Sequence, residues 1–258
     1  MRSPIEGKNV LITGASAGIG EACARLFAKN GANLILTARR TERLAKLADE
    51  IKKDYKVKAI YRQLDVSNKN SVAEVFRSLK DGYEKIDILI NNAGLALGLD
   101  KFQNSNPDDY DAVIDTNVKG LLYCTRAVIT SMIERNSGHI INIGSIAGHE
   151  VYQGGSIYCA TKHAVHAIYK ALRIDLLGTA VRMSSIDPGM VETEFSVVRF
   201  KGDSEIAKKV YEAMTPLRAD DIADAVLYCA SRPAHVNINE IILMPVDQAS
   251  AVNVSRKP

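Results

Sequence analysis

Seven short apolar runs recur along the chain, NVLIT, NLILT, KAIYR, IDILI, HIINIG, VRMSSID and EIILMP, and stretches of helix-like composition and length separate most of them. No other feature limits the fold so narrowly. Runs that are apolar at nearly every position are buried on both faces, which a strand achieves in a parallel sheet covered by helices on each side. The alternation therefore predicts a doubly wound α/β fold. No Pro/Ser-rich linker, internal repeat or low-complexity segment divides residues 1–258, so one domain is expected to carry both binding and chemistry. The pattern lapses at PGMVETEFSVVRFKGDSE, Pro188 to Glu205, which reads as a long irregular loop, and the region 188–216 is expected to serve as a substrate loop. The tail 246–258, with DQASAVNVSRKP, is too short for an element of its own and is expected to dock on a neighbour or fray.

Composition excludes several classes. The 258 residues are 47% hydrophobic and 24% charged, enough for one sizeable core. Net charge is +3 from 33 basic and 30 acidic side chains without a block of one sign, so neither nucleic acid nor a membrane surface is an expected partner. No apolar run approaches the roughly 18 residues of a membrane span, and the start MRSPIEGKNVLITG carries no cleavage pattern. Cys23, Cys124, Cys159 and Cys229 are widely spaced and form no C-x-x-C pair, which fits a reducing cytoplasm better than a disulfide framework. The five histidines form no metal-binding spacing, and no metal is expected; His163 and His166 read as surface or packing residues.

Chemistry begins at the first turn. In VLITGASAGIGEACARLF a strand runs through Gly14, Gly18 and Gly20 into a helix, which lets backbone N–H groups approach a dinucleotide phosphate. The same letters spell G-x-S-x-G around Ser16, a hydrolase nucleophile turn, but an elbow serine follows several strands rather than the first. The second strand ends LTARRTERL, where an acidic residue would hold ribose hydroxyls and arginine would accept a 2′-phosphate. Arg39 and Arg40 offer two permanent cations and no carboxylate, so NADP(H) is favoured over NAD(H); alternatively they open an exposed helix.

YCATK sets Tyr158 and Lys162 four apart, hence on one face of a helix. A nearby ammonium would lower a phenol's pKa from about 10 and make it a usable acid and base. Ser145, at a strand end in NIGSIAG, would donate a hydrogen bond to a substrate oxygen.

Together TGASAGIG, LDV, NNAG, DTNVKG, NIGSIAG, YCATK and PGMVET have the order and spacing of the short-chain dehydrogenase/reductase family, which the chain resembles over essentially its whole length. The resemblance implies a Rossmann-type sheet of seven strands in the order 3-2-1-4-5-6-7, with the site at the strands' carboxyl ends. It implies catalytic roles for Tyr158 as acid and base, Lys162 as its modulator and ribose ligand, Ser145 as carbonyl partner and Asn117 in a proton relay. It also implies NADP(H) contacts from Gly14, Ser16, Gly18, Ile19, Gly20, Arg39, Arg40, Asp65, Val66, Asn92, Tyr158, Lys162, Pro188, Gly189, Val191 and Thr193.

Finer likeness, in NNAGLALGLDKF, TEFSVVRFKGD and PAHVNINEIILMPV among others, points to the subgroup of NADP-dependent 3-hydroxy acid dehydrogenases. Serine, allo-threonine and 3-hydroxypropionate or malonic semialdehyde are that subgroup's substrates; sulfoacetaldehyde reductases look similar. A small anionic hydroxy acid or aldehyde needs a cation, and Arg199 is the candidate, with Lys201 second. His149, beyond Ser145, is a further candidate substrate contact, and the family's helices near 109–134 and Tyr158 imply a homotetramer. A broad carbonyl or sugar reductase and a non-catalytic dinucleotide-binding regulator are the alternatives.

Overall fold

A computed structural model describes residues 3–256 of the chain. Its first half repeats one unit: β1 (Asn9–Thr13), α1 (Gly18–Lys29), β2 (Asn33–Ala38), α2 (Thr41–Tyr55), β3 (Ala59–Gln63), α3 (Lys69–Arg77) and β4 (Ile88–Asn91). The second half continues with α4 (Asp108–Ile114), a π-helical stretch Asp115–Gly120, α5 (Leu121–Glu134), β5 (Gly138–Ile143), α6 (Ser156–Asp175) and β6 (Val181–Pro188). Then come β7 (Val191–Glu192), α7 (Phe195–Arg199), α8 (Ser204–Lys209), β8 (Leu217–Arg218), α9 (Ala219–Ala230) and β9 (Glu240–Leu243).

Seven parallel strands form one sheet in the order β3-β2-β1-β4-β5-β6-β9. This is the expected order, with β9 as the seventh strand because β7 and β8 pair separately. Strand periodicity explains the two cores. Val10, Ile12, Leu34 and Leu36 point to one face and pack with Phe27 of α1, Leu44 of α2 and Val226 of α9. Leu11 and Ile35, one residue out of phase, point to the other and pack with Val75 of α3, Val128 of α5 and Tyr169 of α6. A sheet apolar on both faces is thus covered on both.

Local signals set the element ends. Asn68 caps α3 by accepting from the amides of Asn70 and Ser71, and Asp203 caps α8 by accepting from Glu205 and Ile206. The expected irregular loop from Pro188 to Glu205 is largely ordered: it holds β7, α7 and the start of α8. Those helices, of five and six residues, are too short for apolar periodicity to show in sequence. The tail folds back on its own chain. Gln248 bridges Val254, Glu150 accepts from the Ala251 amide, and Arg256 donates to the carbonyls of Val210 and Glu212. Lys257 and Pro258 of the expected tail lie outside the described residues. Among the described residues no helix is long and apolar enough to cross a membrane, and all four cysteines are free and buried.

Candidate active site

At the carboxyl ends of the strands, where the strand order reverses between β1 and β4, lies a cavity of about 710 Å³. One end is lined by Arg39, Arg40, Asp65 and Val66, the other by Ser145, Tyr158 and Arg199. Between them runs the glycine turn. Gly14 and Gly18 have φ of +67° and +56°, and a Cβ on Gly14 would stand 3.0 Å from the Ala93 Cα. Asn92 braces this turn: its side-chain amide donates to the carbonyls of Thr13 and Gly14 at 2.8 and 3.1 Å. Ile19, Pro188, Gly189, Val191 and Thr193 complete the walls of this part. Backbone packed this closely against backbone leaves a smooth floor on which a pyrophosphate can lie.

Ser16 sits beneath an arginine. Its Oγ accepts from Arg40 Nε at 3.2 Å, so it is positioned by a cation, unlike a hydrolase nucleophile held by a histidine. Arg40 also pairs with Glu194 at 2.8 Å, and Arg43, absent from the sequence reading, holds the same carboxylate at 2.6 Å. The two guanidiniums, Arg43 first, hold the Glu194 carboxyl below its ordinary range. Arg39 is exposed and forms no ion pair among the described residues, which leaves a guanidinium at the adenosine end of the cavity. Asp65 accepts from the amide and hydroxyl of Ser67, while Asn68 is the residue that caps α3.

Ser145 stands two residues beyond β5, where its Oγ accepts from the Ala147 amide and caps a short 3-10 turn, Ile146–Gly148. Tyr158 and Lys162 lie one turn apart near the start of α6, as expected. Lys162 is buried, donates from Nζ to the Ile143 carbonyl at 2.9 Å, and stands 5.7 Å from the centre of the Tyr158 ring. Burial lowers its pKa to about 8, against the opposing charge of Asp187. The anticipated lowering of the Tyr158 phenol does not occur in this structure. Burial pushes it well above its ordinary value, helped by Tyr152, while a hydrogen bond with Ser145 and the charge of Arg199 work the other way. The reason is geometric: the lysine ammonium points at a carbonyl of β5 rather than at the phenol oxygen.

Two further expected site residues turn their side chains to partners within the fold. The Asn117 side chain, in the π-helical stretch, accepts from Leu95 N and donates to Leu95 O and Thr161 Oγ1, so its polar atoms fasten the segment after β4 to α6. His149 does not line the cavity; its Nε2 lies 2.8 Å from Asp187 Oδ2, behind the site. Arg199 does face it. Its Nε donates to Gly98 O at 3.0 Å and its Nη2 to the Tyr152 hydroxyl at 3.1 Å, with the guanidinium carbon 5.6 Å from the centre of the Tyr158 ring. No carboxylate pairs with Arg199 among the described residues, whereas Lys201 is taken by Asp109 at 2.8 Å. Tyr152 and the tail residues Val252 and Arg256 also line the cavity. Sequence gave no sign of these, since Tyr152 belongs to no spaced pattern and the tail reaches the site only by folding back.

The short chain dehydrogenase family profile matches residues 8–203. The NADP-dependent 3-hydroxy acid dehydrogenase YdfG of Salmonella typhi is 52% identical over 94% of this chain and 96% of its own length. Sulfoacetaldehyde reductase 2 of Chromohalobacter salexigens is 44% identical over 96% of this chain and 98% of its own. Among solved structures, the closed form of a serine dehydrogenase complexed with NADP+ superposes with a TM-score of 0.91 at 49% identity, covering 96% of this chain and 100% of that one.

Proposed function

The chain belongs to the short-chain dehydrogenase family, and we propose that it is an NADP-dependent oxidoreductase acting on a small 3-hydroxy acid or the corresponding aldehyde. The observation that carries this reading is Arg199, a cavity-lining guanidinium without a carboxylate partner among the described residues, set above the ring of Tyr158. A carboxylate placed there would bring the carbon beyond it toward the phenol oxygen.

The residues present fit a phosphorylated dinucleotide. The glycine floor admits the pyrophosphate, and Arg39 and Arg40 at the end of β2 supply cations where the adenosine 2′-phosphate would lie. When bound, NADPH supplies the hydride. The chain supplies the rest. Tyr158, its pKa raised by burial, is a protonated phenol at neutral pH and can donate to the carbonyl oxygen as negative charge develops there. Ser145 would hydrogen-bond the same oxygen, and the Lys162 ammonium, retained below about pH 8, adds positive potential 5.7 Å from the centre of the Tyr158 ring. Tyr152 orients Arg199 through its hydroxyl. The protonated phenol is the form that serves carbonyl reduction, and its phenolate the form that serves the reverse reaction. Asn117 acts as a positioning residue, and a homotetramer built through α5 and α6 belongs to the same reading.

A guanidinium recognises sulfonate as readily as carboxylate, so sulfoacetaldehyde is the second reading, favoured by the Chromohalobacter relative. The test is NADPH oxidation, with an NADH control, against malonic semialdehyde, sulfoacetaldehyde and a neutral aldehyde of similar size. The expected result is a strong preference for one anion with NADPH. Arg199→Ala should raise KM for that anion about 10- to 100-fold and change the neutral aldehyde little. Equal rates on the neutral aldehyde would make this a general carbonyl reductase.

A further inference from the structure

Behind the cavity, four side chains that the proposed reaction does not use converge from four segments. His149 follows the short turn capped by Ser145, His166 lies on α6 one turn beyond Lys162, Asp187 is in β6, and Glu240 opens β9. Ser185 pairs with Glu240 across β6 and β9, and the two-residue period then brings Asp187 to the same sheet face. One ligand atom from each of the four lies within 4.8 Å of every other.

The spacing has a recognisable dimension. His149 Nε2 is 2.8 Å from Asp187 Oδ2 and 2.9 Å from Glu240 Oε1; His166 Nδ1 is 3.9 and 3.6 Å from the same two atoms. A tetrahedron with metal–ligand bonds of about 2.0–2.1 Å has six edges of about 3.3–3.4 Å, and these four histidine–carboxylate separations are each within about 0.6 Å of that length. A second observation points inward. Glu240 Oε1 is buried and has no hydrogen-bond partner among the described residues, although a histidine nitrogen stands 2.9 Å away. That approach lacks hydrogen-bond geometry but suits two ligands sharing one ion. Among the described residues the two histidines are the only cationic side chains paired with these carboxylates, and no lysine or arginine joins them.

We propose that His149, His166, Asp187 and Glu240 form a binding site for one divalent transition-metal ion, zinc first. Two imidazoles and two carboxylates are a nitrogen–oxygen donor set that zinc accepts in four-coordinate form, whereas magnesium and calcium prefer oxygen alone. The histidine spacing in sequence gives no metal pattern because the ligands are gathered by the sheet. The ion would tie the turn carrying Ser145 to the helix carrying Tyr158 and Lys162, and both to β6 and β9. It would act as a structural clamp, since none of its four ligands lines the cavity.

The test uses the full-length protein stripped with a chelator, without substrate or nucleotide, so its outcome is separate from that of the reaction assay. Zinc is titrated in competition with a chromophoric chelator, and cobalt(II) by its visible absorption. The expected result is one equivalent per chain, with cobalt bands of four-coordinate intensity and no thiolate charge-transfer band. His166→Gln and Glu240→Gln should each weaken zinc at least tenfold, and the double variant should lose the stoichiometric site. Circular dichroism checks that the variants fold; should they fail, the wild-type stoichiometry and cobalt spectrum decide. Absence of stoichiometric zinc, a thiolate band, or unchanged affinity in a folded double variant would overturn the site and leave a proton-sharing cluster.

Discussion

Lys162 carries a cost that its role explains. An ammonium held inside the protein with a pKa lowered to about 8 binds its proton less tightly than a free lysine at 10.5, so below pH 8 its charge opposes folding. The sign follows from proton counting: between the two values the unfolded chain binds more protons, so stability rises with pH. Lys162→Met should therefore gain stability relative to wild type at pH 7, with that gain smaller by about 2 kcal/mol at pH 9.5, while turnover is lost. Melting curves at the two pH values check it, and the pH-independent loss of the bond to Ile143 cancels in the comparison. Glu194 offers a second residue-level test. It occupies Arg40 and Arg43, the first of which the nucleotide's phosphate would need, so Glu194→Gln should lower KM for NADPH about twofold to fivefold and leave NADH nearly unchanged. What sequence revealed at this scale depended on distance along the chain. Tyr158 and Lys162 share one helical turn and the glycines one strand-to-helix turn, so their spacing could be read directly. Arg40 and Glu194 are 154 residues apart, and the four residues behind the site come from four segments. No local pattern links them.

Among elements, the sheet was legible because seven buried strands impose seven apolar runs, and parallel pairing follows from burial on both faces. The substrate region was misread because its helices are held by caps and packing rather than by a long apolar stripe. Asp203 is the clearest case: its carboxylate accepts from two amides at the start of α8. Asp203→Ala should cost that short helix about 0.5–2 kcal/mol and loosen the segment that carries Arg199. The expected readout is a higher KM for the anionic substrate with KM for NADPH unchanged, together with faster amide exchange across α7 and α8. An unchanged KM would show that α8 does not govern the position of Arg199.

For the molecule as a whole, the tail is the part that sequence placed least well. Gln248 accepts from the Met190 amide at 2.8 Å, and Arg256 reaches the carbonyls beyond α8, so residues after Asp247 brace the substrate region from outside. Truncation after Asp247 should leave the sheet folded by circular dichroism but reduce kcat/KM about tenfold or more, since the Met190 amide loses its partner and one wall of the cavity is removed. The cavity itself joins Gly14 to Arg256, nearly the two extremes of the described chain. Synthesis proceeds at about 5–20 residues per second, so the strands emerge and can begin to pair well before the last wall exists. A nascent chain whose residues 248–256 have not yet emerged therefore lacks one wall of the nucleotide pocket. The dinucleotide stabilises by mass action those molecules whose tail has closed the last wall, and stabilises less those in which it has not.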